Sequence, residues 1–125
     1  IEKFGFRFEK GKVVEVIADE GREMLEALIS TDENAGYLGE AALVEYHSPI
    51  SMSGLVYYTT LIDENASCHL ALGRGLNTAP QGQEGLFNDS TIHIDFMIGT
   101  PDMRITGTTE AGEEVEIFRD GDFAI

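Results

Sequence analysis

The sequence has 125 residues, of which 42% are hydrophobic, and this is enough for one domain with its own apolar core. It contains 23 acidic residues against 8 lysines and arginines, a formal net charge of -15. A chain this acidic lacks the basic face that nucleic-acid binding requires. No apolar run approaches the roughly 20 residues that cross a bilayer, so we expect neither a nucleic-acid partner nor a membrane span.

The single cysteine and the first residues indicate where the protein works. Cys68 is the only cysteine and cannot form an internal disulfide, which favours a reducing compartment such as the cytoplasm. The chain opens on a strand-like pattern with neither an initiator methionine nor a signal peptide. We therefore expect a cytoplasmic fragment of a longer protein, folded as a single domain over residues 1–125.

The N-terminal part predicts a hairpin and a helix. Apolar residues alternate with polar ones on either side of a glycine turn at 10–11, a pattern typical of a β-hairpin: Phe4, Phe6, Phe8, Val14 and Val16. Asp19 is then placed to cap a helix. Its apolar stripe at helical spacing consists of Met24, Leu25, Leu28 and Ile29, and residues 31–34 end it.

The remaining sequence predicts strands and loops. Short β-rich stretches cover residues 41–46, 55–62, 92–98, 103–108 and 114–118, with turns at 111–112 and 120–121. Residues 70–72 fit either a helix or a strand, and the glycine- and asparagine-containing stretch 75–90 predicts a loop. The expected fold is α+β, mostly antiparallel or mixed sheet with one amphipathic helix near the N-terminus.

A histidine and an aspartate share one face of a predicted strand. His93 and Asp95 are two residues apart, so both side chains can converge on one point. Imidazole nitrogen and carboxylate oxygen are ligands that Zn²⁺, Co²⁺ and Mn²⁺ accept. Such pairs are also common on ordinary strand surfaces, and the spacing alone leaves both interpretations open.

Two further residues are candidates for the same chemistry. His69 lies among small and apolar neighbours, where partial burial favours the neutral imidazole that a metal ligand must be; a hydrogen-bonded core histidine is the alternative. Glu40 leads into an apolar run, where a carboxylate is costly unless it is paired or metal-bound; a solvated helix-end charge is the alternative. Cys68 would point away from His69 on a strand, so a thiol-protease pair is not expected.

Several strings of the sequence, taken in order, resemble one protein family. They are Leu38-Gly39-Glu40, Ser48-Pro49-Ile50-Ser51, the segment 63–73, the segment 93–99 and the closing segment 118–123. They are similar to those of the bacterial thermophilic metallo-aminopeptidases, of the aminopeptidase T and aminopeptidase S type. The resemblance runs through the whole chain but covers only the C-terminal part of such an enzyme.

The resemblance implies a catalytic metal site. It makes Glu40, His69, His93 and Asp95 ligands of two divalent ions (Zn, Co or Mn), with Glu40 bridging them and acting as the catalytic carboxylate. Two such ions can polarise an amide carbonyl and activate a water. The substrates implied are peptides, which lose their N-terminal amino acid, and the full-length enzyme is implied to be a homodimer.

Three departures from the family pattern bear on the implied catalytic metal site. The family draws a further glutamate ligand from upstream of residue 1, so the isolated chain is expected to be inactive. Leu76 stands where the family has a functional tyrosine, and His47 stands where an aspartate is expected. We keep two alternatives: a non-catalytic metal-binding or scaffold domain, and an assembly domain that uses the aromatic N-terminal hairpin.

Overall fold

The computed structural model describes Ile1, residues 3–76 and residues 87–125. In chain order the elements are β1 (Phe4–Glu9), β2 (Lys12–Ala18), α1 (Arg22–Ile29), β3 (Leu38–Ala42), α2 (Pro49–Ser53), α3 (Thr60–Asp63), a 3₁₀ turn (Glu64–Ala66), β4 (His69–Gly73), β5 (His93–Met97), β6 (Ile105–Thr108), β7 (Glu114–Arg119) and β8 (Asp122–Phe123). Helices and antiparallel sheets confirm the predicted α+β class.

The described residues group into two compact units. The first comprises Ile1–Ala41 with Leu70–Asp95, and the second comprises Ala42–His69 with Phe96–Ile125. The organisation of the chain as a single domain stays a prediction. Of the predicted loop over 75–90, residues 77–86 lie outside the described residues. Among the described helices, none combines the length and the apolar character needed to cross a membrane.

The hairpin of the first unit departs from simple alternation. β1 and β2 pair antiparallel around the predicted glycine turn, but a bulge shifts the register so that Arg7 lies opposite Glu15 and Phe8 opposite Val13. Val14 is the extra residue of the bulge. It is 44% exposed, whereas Val13 and Val16 are buried, so Val14 and Val16 do not share one buried face.

A helix follows the hairpin, but Asp19 does not cap it. Gly21 occupies the N-cap position with φ 73°, and none of the described side chains makes a capping hydrogen bond there. The left-handed residue turns the chain between Asp19 and the first helical residue. Leu25 is buried while Met24 is 61% exposed, so the apolar stripe of α1 is buried only in part.

Three strands form the sheet that carries all four predicted metal ligands. Their order is β3-β4-β5, with β4 in the centre. The Arg74 N–H donates to the Ile92 carbonyl (2.6 Å) and the Ile98 N–H to the Cys68 carbonyl (2.9 Å), a pattern that makes β4 and β5 antiparallel. Leu72 in the central strand is 1% exposed, which anchors the sheet in the core of the first unit.

The second unit contains an antiparallel sheet of order β6-β7-β8. The predicted turns at 111–112 and 120–121 both join strands of this sheet. Phe118 on β7 is fully buried, and its ring packs edge-to-face against Phe123 with centroids 4.4 Å apart. Burying a side chain of this size contributes about 1.5–3 kcal/mol, so Phe118 forms the centre of this unit.

The strand predicted over residues 55–62 is wrong. The segment is irregular and ends in α3. The Asp63 carboxylate accepts hydrogen bonds from the backbone N–H groups of Tyr57 (2.7 Å) and Thr59 (3.0 Å). These bonds fold the segment back onto the start of the helix, so local side-chain hydrogen bonding overrides the β-propensity of its tyrosines and threonines.

Candidate metal centre

The first unit brings three of the four predicted ligands together. Glu40 lies on β3, and His93 and Asp95 lie on β5. One nitrogen or oxygen atom from each side chain falls within 4.8 Å of the others. The side chains of Glu40 and Asp95 are 20% and 14% exposed, and that of His93 is 31% exposed. The cluster is therefore partly shielded and still reachable from solvent.

Two glycines allow the strands around this cluster to approach closely. A Cβ atom on Gly39 would overlap the carbonyl oxygen of Gly73, and a Cβ atom on Gly73 would overlap the carbonyl oxygen of Ile92. Gly73 also has φ +90°, a conformation that other residues rarely adopt. Since Gly39 precedes Glu40 and Ile92 precedes His93, this backbone contact sets how near the ligand-bearing positions come.

The His93 ring is oriented by the backbone of Arg74. Its Nδ1 lies 2.6 Å from the Arg74 carbonyl oxygen. A carbonyl can only accept, so Nδ1 carries the hydrogen and donates it. The other ring nitrogen, Nε2, then points at the two carboxylates, 3.1 Å from Asp95 Oδ1 and 3.3 Å from Glu40 Oε2. A metal-ligating histidine is commonly fixed through its second nitrogen in this way.

One carboxylate oxygen of the cluster is buried without a hydrogen bond. Asp95 Oδ1 accepts none from any residue that the structure describes, although it lies 3.1 Å from His93 Nε2. A buried oxygen in that state is costly. Two carboxylates facing one imidazole nitrogen call for a positive charge, either a proton on Nε2 or a cation between the three groups. The donor set of one nitrogen and two carboxylates fits a divalent ion such as Zn²⁺.

The fourth predicted ligand, His69, belongs to the second unit. It is the first residue of β4 and is only 3% exposed. Its Nδ1 lies 3.0 Å from the carbonyl oxygen of Ser67, which fixes the orientation of the ring. Its role as a metal ligand stays a prediction.

The two residues expected to depart from the family pattern, Leu76 and His47, are both exposed. Leu76 is 54% exposed. His47, in the second unit, donates its backbone N–H to Asp122 (3.0 Å), and its Nδ1 lies 2.5 Å from the same carboxylate. These bonds lower the pKa of Asp122, the backbone bond most. The contact with Asp122 explains the orientation of the His47 ring.

Sequence reasoning missed the residues that hold the segment before β5. Asp32 accepts three hydrogen bonds from Ser90 and Thr91, and Asn88 donates to the carbonyl oxygens of Asn34 and Gly73. The sequence suggested only that residues 31–34 end a helix. An aspartate two residues before an asparagine is a signal for a local Asx turn, but not for partners almost 60 residues away.

Comparison with known proteins identifies the family. Residues 1–123 match the family described as thermophilic metalloprotease (M29). The chain belongs to the M29 family. The predicted resemblance to aminopeptidases of the S and T type is thereby confirmed at the level of the family.

Two curated relatives and one solved structure match the M29 chain along its length. Aminopeptidase AmpS of Bacillus subtilis (strain 168) is 46% identical over 134 residues, covering 99% of the chain and 32% of AmpS. Aminopeptidase T of Thermus aquaticus is 42% identical over 132 residues, covering 100% and 32%. The structure of wild-type AmpT from Thermus thermophilus superposes with a TM-score of 0.85 at 38% identity, over 100% of the chain and 32% of AmpT. The M29 chain thus spans about a third of their length.

Proposed function

We propose that this chain supplies metal ligands to the active site of an aminopeptidase, an enzyme that removes N-terminal amino acids from peptides. The M29 match and the aminopeptidase names of the relatives support the activity. The cluster of Glu40, His93 and Asp95 supports the placement of the metal. The proposal applies to the longer protein, since the chain spans 32% of these relatives.

The buried oxygen of Asp95 is the observation that carries the proposal. It is shielded, accepts no hydrogen bond among the described residues, and lies 3.1 Å from His93 Nε2, which is itself 3.3 Å from Glu40 Oε2. Folding would rarely leave such an oxygen without compensation. A divalent cation supplies that compensation, because it attracts both carboxylates and takes the lone pair of neutral imidazole.

The proposed site binds two divalent ions, of Zn, Co or Mn. His69, His93 and Asp95 would be ligands of these ions, and Glu40 would be both a ligand and the catalytic carboxylate. One further glutamate would come from outside this sequence. The nitrogen and oxygen donors accept each of these metals.

Each group would have a defined task in peptide hydrolysis. The bound cations would polarise the scissile carbonyl and activate the attacking water. The Glu40 carboxylate, 20% exposed, would take the proton of that water and pass it to the leaving amine. The Arg74 carbonyl holds the His93 ring at a fixed angle, so the ligand needs no reorientation when a cation arrives.

Titration of the chain with Zn²⁺, Co²⁺ and Mn²⁺ tests the metal site. We expect binding by the unsubstituted chain and at least about a hundredfold weaker binding by His93→Ala, because one of few ligands is removed. His47→Ala is the control, since it removes an exposed histidine that pairs with Asp122. Equal metal affinities of the His93→Ala and His47→Ala variants would contradict the proposed metal site.

Turnover of an aminoacyl anilide tests the activity in the full-length protein that contains this sequence. We expect His93→Ala to abolish turnover and to lower the metal content together, and His47→Ala to change neither. Unchanged turnover in the His93→Ala protein would remove the aminopeptidase proposal.

A non-catalytic metal-binding domain is the second candidate. The observation that favours it is Leu76, which stands at the place of the family tyrosine and has no proton or hydrogen bond to offer. A full-length protein that binds two metals and cleaves no peptide would establish this alternative. Substituting Leu76→Tyr in that protein and regaining turnover would identify the missing group.

Dimer formation and a cytoplasmic location complete the proposal. The cytoplasmic location is supported by the single free cysteine, Cys68, which is buried and unpaired with another thiol. Sedimentation of the full-length protein tests the dimer, and a strict monomer would exclude it.

A further inference from the structure

Asp32 is a hydrogen-bonding hub in the turn between α1 and β3. Its Oδ2 accepts from the Thr91 N–H (2.8 Å), the Thr91 hydroxyl (2.7 Å) and the Ser90 hydroxyl (2.9 Å). Its Oδ1 accepts from the Asn34 N–H (3.0 Å). One aspartate therefore joins its own turn to the two residues that stand just before β5, which carries His93.

The same two segments are joined a second time by amide side chains. Asn34 Nδ2 donates to the Asp89 carbonyl (2.8 Å). In return, Asn88 Nδ2 donates to the carbonyls of Asn34 (2.9 Å) and Gly73 (2.6 Å). Three side chains from two segments thus tie the approach to β3 to the approach to β5, and these are the strands that carry the three clustered ligands.

Arg74 links residues 90–92 to the ring of His93. Its Nε donates to the Ser90 carbonyl (2.9 Å) and its N–H to the Ile92 carbonyl (2.6 Å). Its own carbonyl accepts from His93 Nδ1 (2.6 Å). A shift of residues 90–92 would therefore move both the backbone of His93 and the acceptor that orients its ring.

We propose that Asp32 is a positioning residue for the metal centre: by holding Ser90 and Thr91 it sets the place and the ring angle of His93. The inference rests on the proposed function, because it concerns the same site. Asp32 touches none of the three ligands in this role and acts through the segment before β5. Outer partners of this kind tune metal affinity through the geometry of the ligands they support.

A carboxylate suits this position better than a neutral group. Three donors converge on a single oxygen of Asp32, and hydrogen bonds to an ionised acceptor are stronger than those between neutral groups. The Thr91 N–H and then the Thr91 hydroxyl hold the pKa of Asp32 well below its ordinary value of 3.8. The charge on Asp32 is therefore present over the whole neutral pH range.

Two substitutions and a neighbouring control separate positioning from general effects. Asp32→Ala removes all four hydrogen bonds. Asp32→Asn keeps the size of the side chain but has only one oxygen. Glu33→Ala removes the same charge from the adjacent residue, which is exposed. Circular dichroism identifies any variant that fails to fold. If Asp32→Ala does not fold, the Asp32→Asn variant tests the inference.

The first measurement is the affinity of each chain for Zn²⁺ alone. We expect both Asp32 variants to bind about tenfold to a hundredfold more weakly than the unsubstituted chain, and Glu33→Ala to bind equally well. Equal affinity in a folded Asp32 variant overturns the inference and leaves the metal site intact. Absence of Zn²⁺ binding by the full-length protein that contains the unsubstituted sequence overturns the proposed metal site itself.

The second measurement does not depend on metal. Nitrogen NMR of the His93 ring in the metal-free chain reports whether Nδ1 carries the hydrogen. We expect an Nδ1–H that is hydrogen-bonded to the Arg74 carbonyl in the unsubstituted chain and in Glu33→Ala, and loss of that hydrogen bond in the Asp32 variants, with faster exchange of the Thr91 amide. An unchanged His93 ring and Thr91 amide in a folded Asp32 variant contradict the positioning role whatever the Zn²⁺ titration gives.

Discussion

The three clustered side chains have the arrangement expected of ligands to a cation. His93 turns one nitrogen to a carbonyl and the other to two carboxylates, and Asp95 Oδ1 accepts no hydrogen bond among the described residues. Groups that repel in the absence of a cation lower the stability of the empty protein. Functional sites commonly carry such a cost, and removing the conflict stabilises the fold.

Asp95→Asn is predicted to separate stability from metal binding. The amide removes one negative charge and adds a donor, so we expect the metal-free variant to melt at or above the temperature of the unsubstituted chain. At a metal concentration of 100 Kd the unsubstituted chain should gain about 2.7 kcal/mol, and the variant should gain none. Thermal unfolding with and without Zn²⁺ measures both effects.

The control for that prediction is Asp102→Asn, which changes an exposed aspartate of the second unit. It should leave the gain from Zn²⁺ unchanged. A metal-induced gain in the Asp95→Asn chain equal to that of the control would contradict the role of Asp95.

Glu116 gives a pH-dependent prediction in the second unit. Hydrogen bonds from Arg119 and then Arg104 lower the pKa of Glu116 from 4.5 to about 2. Because the folded state favours the carboxylate, its stabilising effect is complete above pH 4.5 and is lost as the pH falls to about 2. Glu116→Gln should therefore unfold at lower urea than the unsubstituted chain at pH 7, and the difference should vanish near pH 2.

Glu114→Gln is the comparison for this test, since it changes an exposed glutamate of the same strand. Its urea midpoint should follow that of the unsubstituted chain at every pH. A constant difference between the Glu116→Gln and unsubstituted chains from pH 7 to pH 2 would exclude the ion pairs as its cause.

At the same scale, the sequence identifies only part of the site. The spacing of His93 and Asp95 is visible in a strand pattern, because alternate side chains share a face. Glu40 and His69 are found through the family strings, since nothing local distinguishes them from ordinary residues. Asp32 is not found at all, because its partners lie 58 and 59 residues away and become neighbours only in the folded chain.

At the scale of elements, two strands have nearly the bounds that the sequence predicts. The pattern over residues 92–98 matches β5 closely, and that over residues 114–118 matches β7. The tyrosine- and threonine-rich segment 55–62 failed, because its backbone is held by the carboxylate of Asp63 and not by a neighbouring strand. Propensity reports how well a residue suits a sheet, but a sheet also needs a partner strand.

The close approach of β3 and β4 predicts different outcomes for two glycine substitutions. Gly39→Ala places a methyl group against the carbonyls of Gly73 and Arg74, so we expect a loss of about 1–3 kcal/mol and weaker Zn²⁺ binding. Gly5→Ala on β1 meets nothing within 4 Å and should be neutral or slightly stabilising. Urea unfolding and Zn²⁺ titration compare the two, and equal losses would contradict the close approach.

At the scale of the whole molecule, a net charge of -15 sets the response to salt. Like charges repel in the compact state, and salt shortens the range of this repulsion from about 30 Å at 0.01 M to about 8 Å at 0.15 M. We expect the thermal midpoint of the metal-free chain to rise by several degrees over this range in sodium chloride with a chelator present. A midpoint that falls would show that favourable ion pairs outweigh the repulsion.

The burial of Cys68 gives the chain a built-in chemical reporter. The residue is 1% exposed, and its sulfur lies within hydrogen-bonding distance of both the N–H (3.2 Å) and the carbonyl (3.3 Å) of Val44. A thiol reagent can reach it only after the second unit opens, because the thiolate is the reactive form and needs solvent. Because Cys68 is the only cysteine of the sequence, the rate of its alkylation reports how often this unit opens, and no label has to be introduced.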